Sequence, residues 1–186
     1  MAKASEIWSG AVLRINGELV AVEEFIHRTP GNLRAFYQAR MRNIKTGKIV
    51  EYRFRPDEEV TFARVETNDY QYLYEDGDYL VVMDNETFEQ HNIPKFLFGD
   101  SIRFLKESMT LTVAFESDEP IIARLPNSVE LEVTYSEPAV KGDTATNALK
   151  LAIVETGAEV RVPLFVNQGD KIKIDTRYGE YIERVR

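Results

Sequence analysis

Apolar and polar residues alternate with a period of two along most of this 186-residue chain, and turn residues interrupt the alternation about every 8–12 residues. Residues 129–135 are the clearest case, because Val, Leu, Val and Tyr alternate there with Glu, Glu and Thr. Asn16-Gly17 lies between two such runs and predicts a hairpin with a type I′ turn. Helical periodicity is weak and is limited to short candidates at residues 85–90 and 94–105. These patterns predict an all-β chain built from small sandwiches or barrels.

The predicted strands divide into three blocks, residues 1–64, 65–129 and 130–186. Each block carries four to six short strands, which is enough for a small barrel whose closure leaves no exposed strand edge. No low-complexity segment separates the blocks. We therefore expect three domains that are joined by short connections and hold a fixed arrangement.

Charge is distributed unevenly among these blocks, although the whole chain has a net charge of −8. Residues 1–64 hold 11 Lys and Arg against 8 Asp and Glu, whereas residues 65–129 hold 4 against 13. Residues 28–55 concentrate the basic charge, because eight bases there face a single acid. Those bases are Arg28, Arg34, Arg40, Arg42, Lys45, Lys48, Arg53 and Arg55.

Such a basic segment attracts phosphate and releases counterions when it binds. We therefore predict a surface for RNA or DNA, although a solvated strand face would show the same charges. The candidate RNA-binding residues are Arg28, Arg40, Arg42, Arg53 and Arg55. The acidic middle block would be repelled by a polyanion and is expected to face solvent or basic protein.

Residues for most enzyme chemistry are missing from the sequence. The chain has no Cys and only two His, His27 and His91, which lie far apart. It has no Gly-rich phosphate-binding motif and no Gly-x-Ser-x-Gly nucleophile elbow. Neither a run of 18 apolar residues nor a secretory leader is found. We expect a cytoplasmic binding protein that is not an enzyme and has no metal site, no cofactor and no membrane partner.

The most unusual turn of the basic region lies within residues 27–36. Pro30 and Gly31 form a strong turn signal, because Pro fixes φ and Gly allows a positive φ. The next two residues, Asn and Leu, complete a predicted tip that has an arginine on either side. This pattern predicts a projecting hairpin that inserts into an RNA site, with an ordinary mobile hairpin as the alternative.

Several segments together carry a family resemblance. Residues 141–144 read Lys-Gly-Asp-Thr, residues 155–166 read Glu-Thr-Gly-Ala-Glu-Val-Arg-Val-Pro-Leu-Phe-Val, and residues 175–181 read Asp-Thr-Arg-Tyr-Gly-Glu-Tyr. Residues 71–74 and 83–90 of the middle block match as well, and the motifs occur in the same order. The chain thus resembles the bacterial translation elongation factor P family over essentially its whole length.

The resemblance implies an N-terminal SH3-like (KOW-type) barrel followed by two OB-fold barrels, in an L-shaped arrangement that mimics tRNA. It also implies binding to ribosomal RNA and proteins between the P and E sites, with peptidyl-tRNA and E-site mRNA as further partners. Members of the family promote peptide-bond formation at consecutive prolines by ordering the end of the P-site tRNA. We expect the factor to be a monomer.

In the family, the hairpin of the first domain usually carries a modified Lys or Arg at its tip, and Asn32 occupies that place here. In the interpretation we favour, the tip is active without modification, through backbone and Asn amide hydrogen bonds. In a second interpretation Arg34, which two steps along a strand would place on the same side, substitutes or is modified. In a third interpretation, the chain is a divergent paralogue that responds to a different signal. The predicted loop that faces peptidyl-tRNA comprises Pro30, Gly31, Asn32, Leu33 and Arg34.

Two further sites follow from the resemblance. The loop that approaches the E-site codon matches Gly142, Asp143, Thr144 and Ala145. Tyr181 and Arg184 match an aromatic residue and a base that face the small subunit, although Tyr181 alone also fits a core or rim position. An alternative function is that of a single-stranded nucleic-acid binder that uses its OB-fold barrels. The acidic charge of residues 65–129 argues against that role for the middle block.

Overall fold

The computed structural model describes residues 2–139 and 148–185, and strands dominate both segments. The described residues group into two compact units. The first unit extends to Thr67 and also includes Ala114–Ile122. The second unit consists of Asn68–Val113 and the residues from Ala123 onward. The prediction of a nearly all-β chain is confirmed, whereas the three domain boundaries and the L shape stay predictions.

The first unit begins with a short pair of strands and a four-stranded antiparallel sheet. In chain order its strands are β1 (Ala2–Lys3), β2 (Val12–Ile15), β3 (Glu18–Arg28), β4 (Phe36–Asn43), β5 (Ile49–Phe54) and β6 (Glu59–Val60). β1 pairs with β6, and the sheet order is β2-β3-β4-β5. A 3₁₀ turn covers Ala4–Glu6. Asn16 and Gly17 have φ values of 51° and 82°, which confirms the predicted type I′ turn between β2 and β3.

The core of the first unit is built from the inward face of this sheet. Its buried residues are Ala4, Ile7, Ala11, Leu13, Val20, Val22, Ala39, Met41, Phe54 and Val60. A second cluster joins Val12 and Leu19 to Ala114 and Ile121. The hairpin at residues 114–122 is therefore held to the first unit by apolar packing.

A β-bulge interrupts β3. Val22 pairs with Met41 and Glu24 pairs with Arg40, so that Glu23 is an extra residue without a cross-strand partner. The bulge is needed because Val22 and Phe25 both belong to the inward side, although three positions separate them in sequence. The same bulge places Glu24, as well as Glu23, on the outer side of the sheet.

A five-stranded sheet covers the middle of the chain. Its strands are β7 (Glu66–Asp76), β8 (Tyr79–Asp84), β9 (Gln90–Pro94), β10 (Thr110–Glu116) and β11 (Glu119–Arg124), in the order β11-β10-β7-β8-β9. The predicted helical segment at 94–105 is a 3₁₀ segment, Lys95–Phe104, that is broken at Gly99. The helix predicted at 85–90 is wrong, because Asp84 accepts the backbone N–H groups of Glu86 and Thr87 and forms a turn between β8 and β9.

The last sheet comprises β12 (Ser128–Ser136), β13 (Leu149–Val154), β14 (Glu159–Pro163), β15 (Lys171–Asp175) and β16 (Glu180–Val185). Its order is β14-β13-β12-β15-β16, and contacts between β14 and β16 curl the sheet towards a barrel. Residues 129–133 alternate buried and exposed as predicted. Tyr135 is the exception, because a bulge between Val133 and Tyr135 leaves its side chain 47% exposed.

Candidate nucleic-acid interface

The predicted projecting hairpin is formed by β3 and β4, whose pairing extends to Arg28 opposite Phe36. Residues 29–35 connect the two strands. The N–H of Leu33 donates to the carbonyl of Pro30 at 2.9 Å and closes a tight turn. Gly31 has a φ of +46°, a conformation that residues with a Cβ adopt at a cost. The Pro-Gly pair therefore shapes the turn as its chemistry predicts.

Stacked rings stiffen the base of this hairpin. The ring of Tyr37 stacks on Phe25 and makes a tilted contact with His27, with centroid distances of 4.9 Å to each. These residues belong to β3 and β4, close to the point where the strands enter the loop. Such stacking adds to the apolar burial of the rings and holds the two strands together. His27 is thus a packing residue of the hairpin.

The tip itself carries no charged side chain between Pro30 and Leu33. The side chain of Leu33 is 73% exposed, and Asn32 is exposed as well. Arg34 makes no ion pair with another described residue. Because β4 begins only at Phe36, Arg34 lies in the loop, and strand alternation does not decide which side it shares with Asn32.

An aromatic ring and two arginines lie together on the outer face of the hairpin. Arg28 is directly opposite Phe36 in the register, so both side chains occupy the same face. The guanidinium of Arg53 lies over the ring of Phe36, 5.2 Å from its centroid. Both arginines are exposed, and neither forms an ion pair within the described part of the chain. This face offers positive charge and a stacking surface to a phosphate backbone.

The structure separates the other predicted arginines from this group. Arg40 and Arg42 are both directed to the carboxylate of Glu23, with Nε–O distances of 3.5 Å and 2.6 Å. Arg55 is exposed at the end of β5, beside Glu58. The ion pairs of Arg40 and Arg42 were not visible in the sequence, because they depend on the register between β3 and β4.

The predicted small-subunit residues lie on the last strand, β16. Tyr181 is half-buried, and this burial raises the pKa of its hydroxyl. The Arg184 guanidinium lies 5.3 Å from the ring centroid of Phe165 and 3.5 Å from Oδ2 of Asp170. Phe165 is 56% exposed and was not predicted as a site residue. Its exposed position after β14 could not be read from a segment as apolar as residues 162–166.

The segment at 175–181, which contributed strongly to the resemblance, has a clear stabilising role. Nε and Nη2 of Arg177 donate to the two carboxylate oxygens of Asp175 at 3.1 and 2.6 Å. The backbone N–H of Thr176 donates to the carbonyl of Asn127 at 3.0 Å. These contacts secure the turn between β15 and β16. The predicted loop of Gly142, Asp143, Thr144 and Ala145 lies outside the described residues.

Residues 2–139 and 148–185 contain no group of three or more His, Asp or Glu side chains arranged to hold a metal ion. In the same ranges, no helix has the length and apolar character needed to cross a bilayer.

Three family models match the chain in succession. They are "Elongation factor P (EF-P) KOW-like domain" at residues 3–60, "Elongation factor P (EF-P) OB domain" at residues 65–123, and "Elongation factor P, C-terminal" at residues 129–184. The KOW-like and OB matches confirm the predicted fold types.

Curated relatives match over their full lengths. Elongation factor P of Chloroherpeton thalassium is 50% identical, with all of both chains covered. Elongation factor P of Desulfitobacterium hafniense is 45% identical over 99% of this chain and 100% of its own. The same-named protein of Mycobacterium avium is 45% identical over 100% of this chain and 99% of its own.

A solved structure shares the fold at low identity. Eukaryotic translation initiation factor 5A from Methanococcus jannaschii aligns with a TM-score of 0.52 and 18% identity. The alignment covers 67% of this chain and 94% of that one. At this identity the likeness extends to the fold alone.

Proposed function

Because this chain belongs to the elongation factor P family of translation factors, we propose that it binds the ribosome between the P and E sites and promotes peptide-bond formation at consecutive prolines. In this proposal the factor positions peptidyl-tRNA while ribosomal RNA makes the bond, so the factor itself is not an enzyme. Proline is a constrained substrate because its ring fixes φ. Holding such a substrate in a reactive geometry lowers the entropic part of the barrier.

One observation carries the proposal: an exposed, uncharged turn projects from a hairpin whose base is stacked and whose flanks are basic. The stacked ring of Tyr37 restrains the hairpin. Arg28 and Arg34 flank the turn and are available for phosphates. Positive flanks hold the hairpin against RNA, while the uncharged tip reaches the tRNA end.

We infer that the tip acts without modification. Asn32 has no amine or guanidinium to modify, but its amide both donates and accepts hydrogen bonds. The turn at Gly31 also presents backbone polar groups at the exposed end of the hairpin. Modification of Arg34 is the competing interpretation, and an intact-mass measurement of the native protein decides between them. A mass equal to that of the sequence supports the unmodified tip.

The remaining contacts belong to the same proposal. Tyr181 and Arg184 face the small subunit, and residues 142–145 approach the E-site codon. We propose that domains at residues 1–64, 65–129 and 130–186 make up a monomer that works in the cytoplasm. The acidic middle block faces solvent or basic ribosomal protein, because phosphate would repel it.

A reporter experiment tests the proposed function. Deletion of the gene should increase ribosome pausing at a Pro-Pro-Pro sequence and leave a matched Ala-Ala-Ala reporter unchanged. Return of the wild-type gene should restore translation. Unchanged pausing in the deletion strain contradicts the proposal. Tighter, salt-sensitive binding to free oligonucleotides than to ribosomes would instead favour the single-stranded nucleic-acid binder.

A further inference from the structure

The carboxylate of Glu23 forms ion pairs with two of the predicted RNA-binding arginines, Arg40 and Arg42. Nε of Arg42 donates to Oε1 of Glu23 at 2.6 Å, and Nε of Arg40 lies 3.5 Å from Oε2 of the same residue. Nη1 of Arg42 also donates to the carbonyl of Gly47 at 3.2 Å. Two guanidinium groups therefore share a single negative charge on the outer face of the sheet.

The β3 bulge creates this arrangement. Glu23 is the extra residue between the pairs Val22–Met41 and Glu24–Arg40. A bulge redirects a side chain relative to its neighbours, and here it lets the Glu23 carboxylate reach arginines on two successive outward positions of β4. Glu24, the adjacent acid, forms no ion pair among the described residues.

We propose that Glu23 lowers the affinity of the basic surface for RNA by neutralising Arg40 and Arg42. The inference rests on the proposed function, since it concerns the same RNA-facing surface. A phosphate that approaches Arg42 must displace a hydrogen-bonded carboxylate, and one that approaches Arg40 must compete with the ion pair to the same carboxylate. Arg28, Arg34 and Arg53, which form no ion pair among the described residues, then account for most of the counterions released when RNA binds.

The side chains of Glu23, Arg40 and Arg42 are partly exposed, so their ion pairs should influence RNA binding more than folding. The two arginine side chains are 48% exposed and that of Glu23 is 33% exposed. Exposed ion pairs contribute little to folding, so removal of the carboxylate should leave the fold intact and release the arginines. Weakened binding suits a factor that must leave the ribosome after each bond.

The test compares Glu23→Gln with Glu24→Gln in the full chain. Each variant removes one negative charge from the same face of the sheet, and Glu24 lies opposite Arg40 without an ion pair to any described residue, so the comparison separates the carboxylate contact from the change in long-range field. Equilibrium binding to ribosomes with an occupied P site is measured between about 50 and 200 mM salt, where counterion release changes the affinity strongly. Glu23→Gln should bind on the order of three- to tenfold more tightly at the low-salt end, and its log–log salt slope should be steeper by about 0.7–0.9 for each additional phosphate that Arg40 or Arg42 neutralises. Glu24→Gln should change the affinity less than about twofold and leave the slope unchanged.

Equal behaviour of the two variants, or weaker binding by Glu23→Gln, overturns the inference. Glu23→Ala serves as a second variant and should change affinity in the same direction as Glu23→Gln. If wild-type protein fails to bind ribosomes at any salt concentration, the proposed function fails instead. The same pair of variants measured on poly(U) RNA then decides the role of Glu23 separately.

Discussion

The guanidinium of Arg177 forms a bidentate ion pair with the carboxylate of Asp175, in which Nε donates to Oδ1 at 3.1 Å and Nη2 donates to Oδ2 at 2.6 Å. The backbone N–H of Arg177 donates to Oδ1 as well, at 2.9 Å. The hydrogen bond from the Arg177 side chain is the main reason that the pKa of Asp175 falls from 3.8 to about 2. The turn between β15 and β16 is therefore stabilised by an ionised Asp175.

Replacement of Asp175 by Asn should lower the melting temperature at pH 7. Because the pKa of Asp175 is lower in the folded state, its ionised form stabilises the fold above about pH 4, and this contribution is lost as the pH falls towards 2. The difference in melting temperature between wild type and Asp175→Asn should therefore shrink across that interval. Calorimetry from pH 7 to pH 2 measures it.

Asp76→Asn is the matched control for this pH dependence. Asp76 is exposed, and its side chain makes no hydrogen bond to another described residue. The melting temperature of Asp76→Asn should equal that of wild type at every pH. A difference for Asp175→Asn that stays constant down to pH 2 would show that the Asp175 charge contributes nothing to stability.

Gly179, at the other end of the same turn, should not tolerate a side chain. Its φ is +71°, and a Cβ there would overlap the guanidinium of Arg103 and approach the ring of Phe104. We expect Gly179→Ala to lower the free energy of unfolding by about 1–2 kcal/mol from backbone strain, and by less than about 1 kcal/mol more because the exposed Arg103 side chain must move aside. Urea unfolding measures the change.

Gly157 separates the two contributions to that loss. Its φ is +83°, but a Cβ at this position meets nothing within 4 Å. Gly157→Ala should thus show the backbone cost alone, about 1–2 kcal/mol. Arg103→Ala introduced together with Gly179→Ala should recover part of the difference. Equal losses for both single Gly variants would mean that Arg103 moves aside at no cost.

Strand periodicity predicted the fold because most strands have one buried face, and residues 129–133 show this plainly. It failed at bulges, where one extra residue reverses the faces: Tyr135 is exposed, and Glu24 lies on the outer face beside Glu23. Ion pairs between strands depend on register, which a single sequence leaves open. The hairpin tip was predictable because Pro30 and Gly31 restrict their own backbone.

Tyr37 should control the rigidity of the hairpin. Tyr37→Ala removes the stacked contact with Phe25 and the tilted contact with His27, and should lower the free energy of unfolding by roughly 1–3 kcal/mol. Tyr37→Phe keeps both ring contacts and should stay within about 0.5 kcal/mol of wild type. Under conditions in which Tyr37→Ala is folded, it should also support slower synthesis of a Pro-Pro-Pro peptide than wild type does. Full activity of Tyr37→Ala would show that the stack does not order the tip.

Asn32 and Arg34 should affect different kinetic parameters of Pro-Pro-Pro synthesis. Asn32→Ala removes the amide at the tip, so the maximal rate at saturating factor should fall roughly 5- to 30-fold, the effect of one or two lost hydrogen bonds. Arg34→Ala removes a flanking charge, so more factor should be needed for half-maximal rate. Titration of each variant in a reconstituted translation system separates the two effects. If Arg34→Ala abolishes synthesis at saturation while Asn32→Ala has no effect, Arg34 is the residue that acts at the tip.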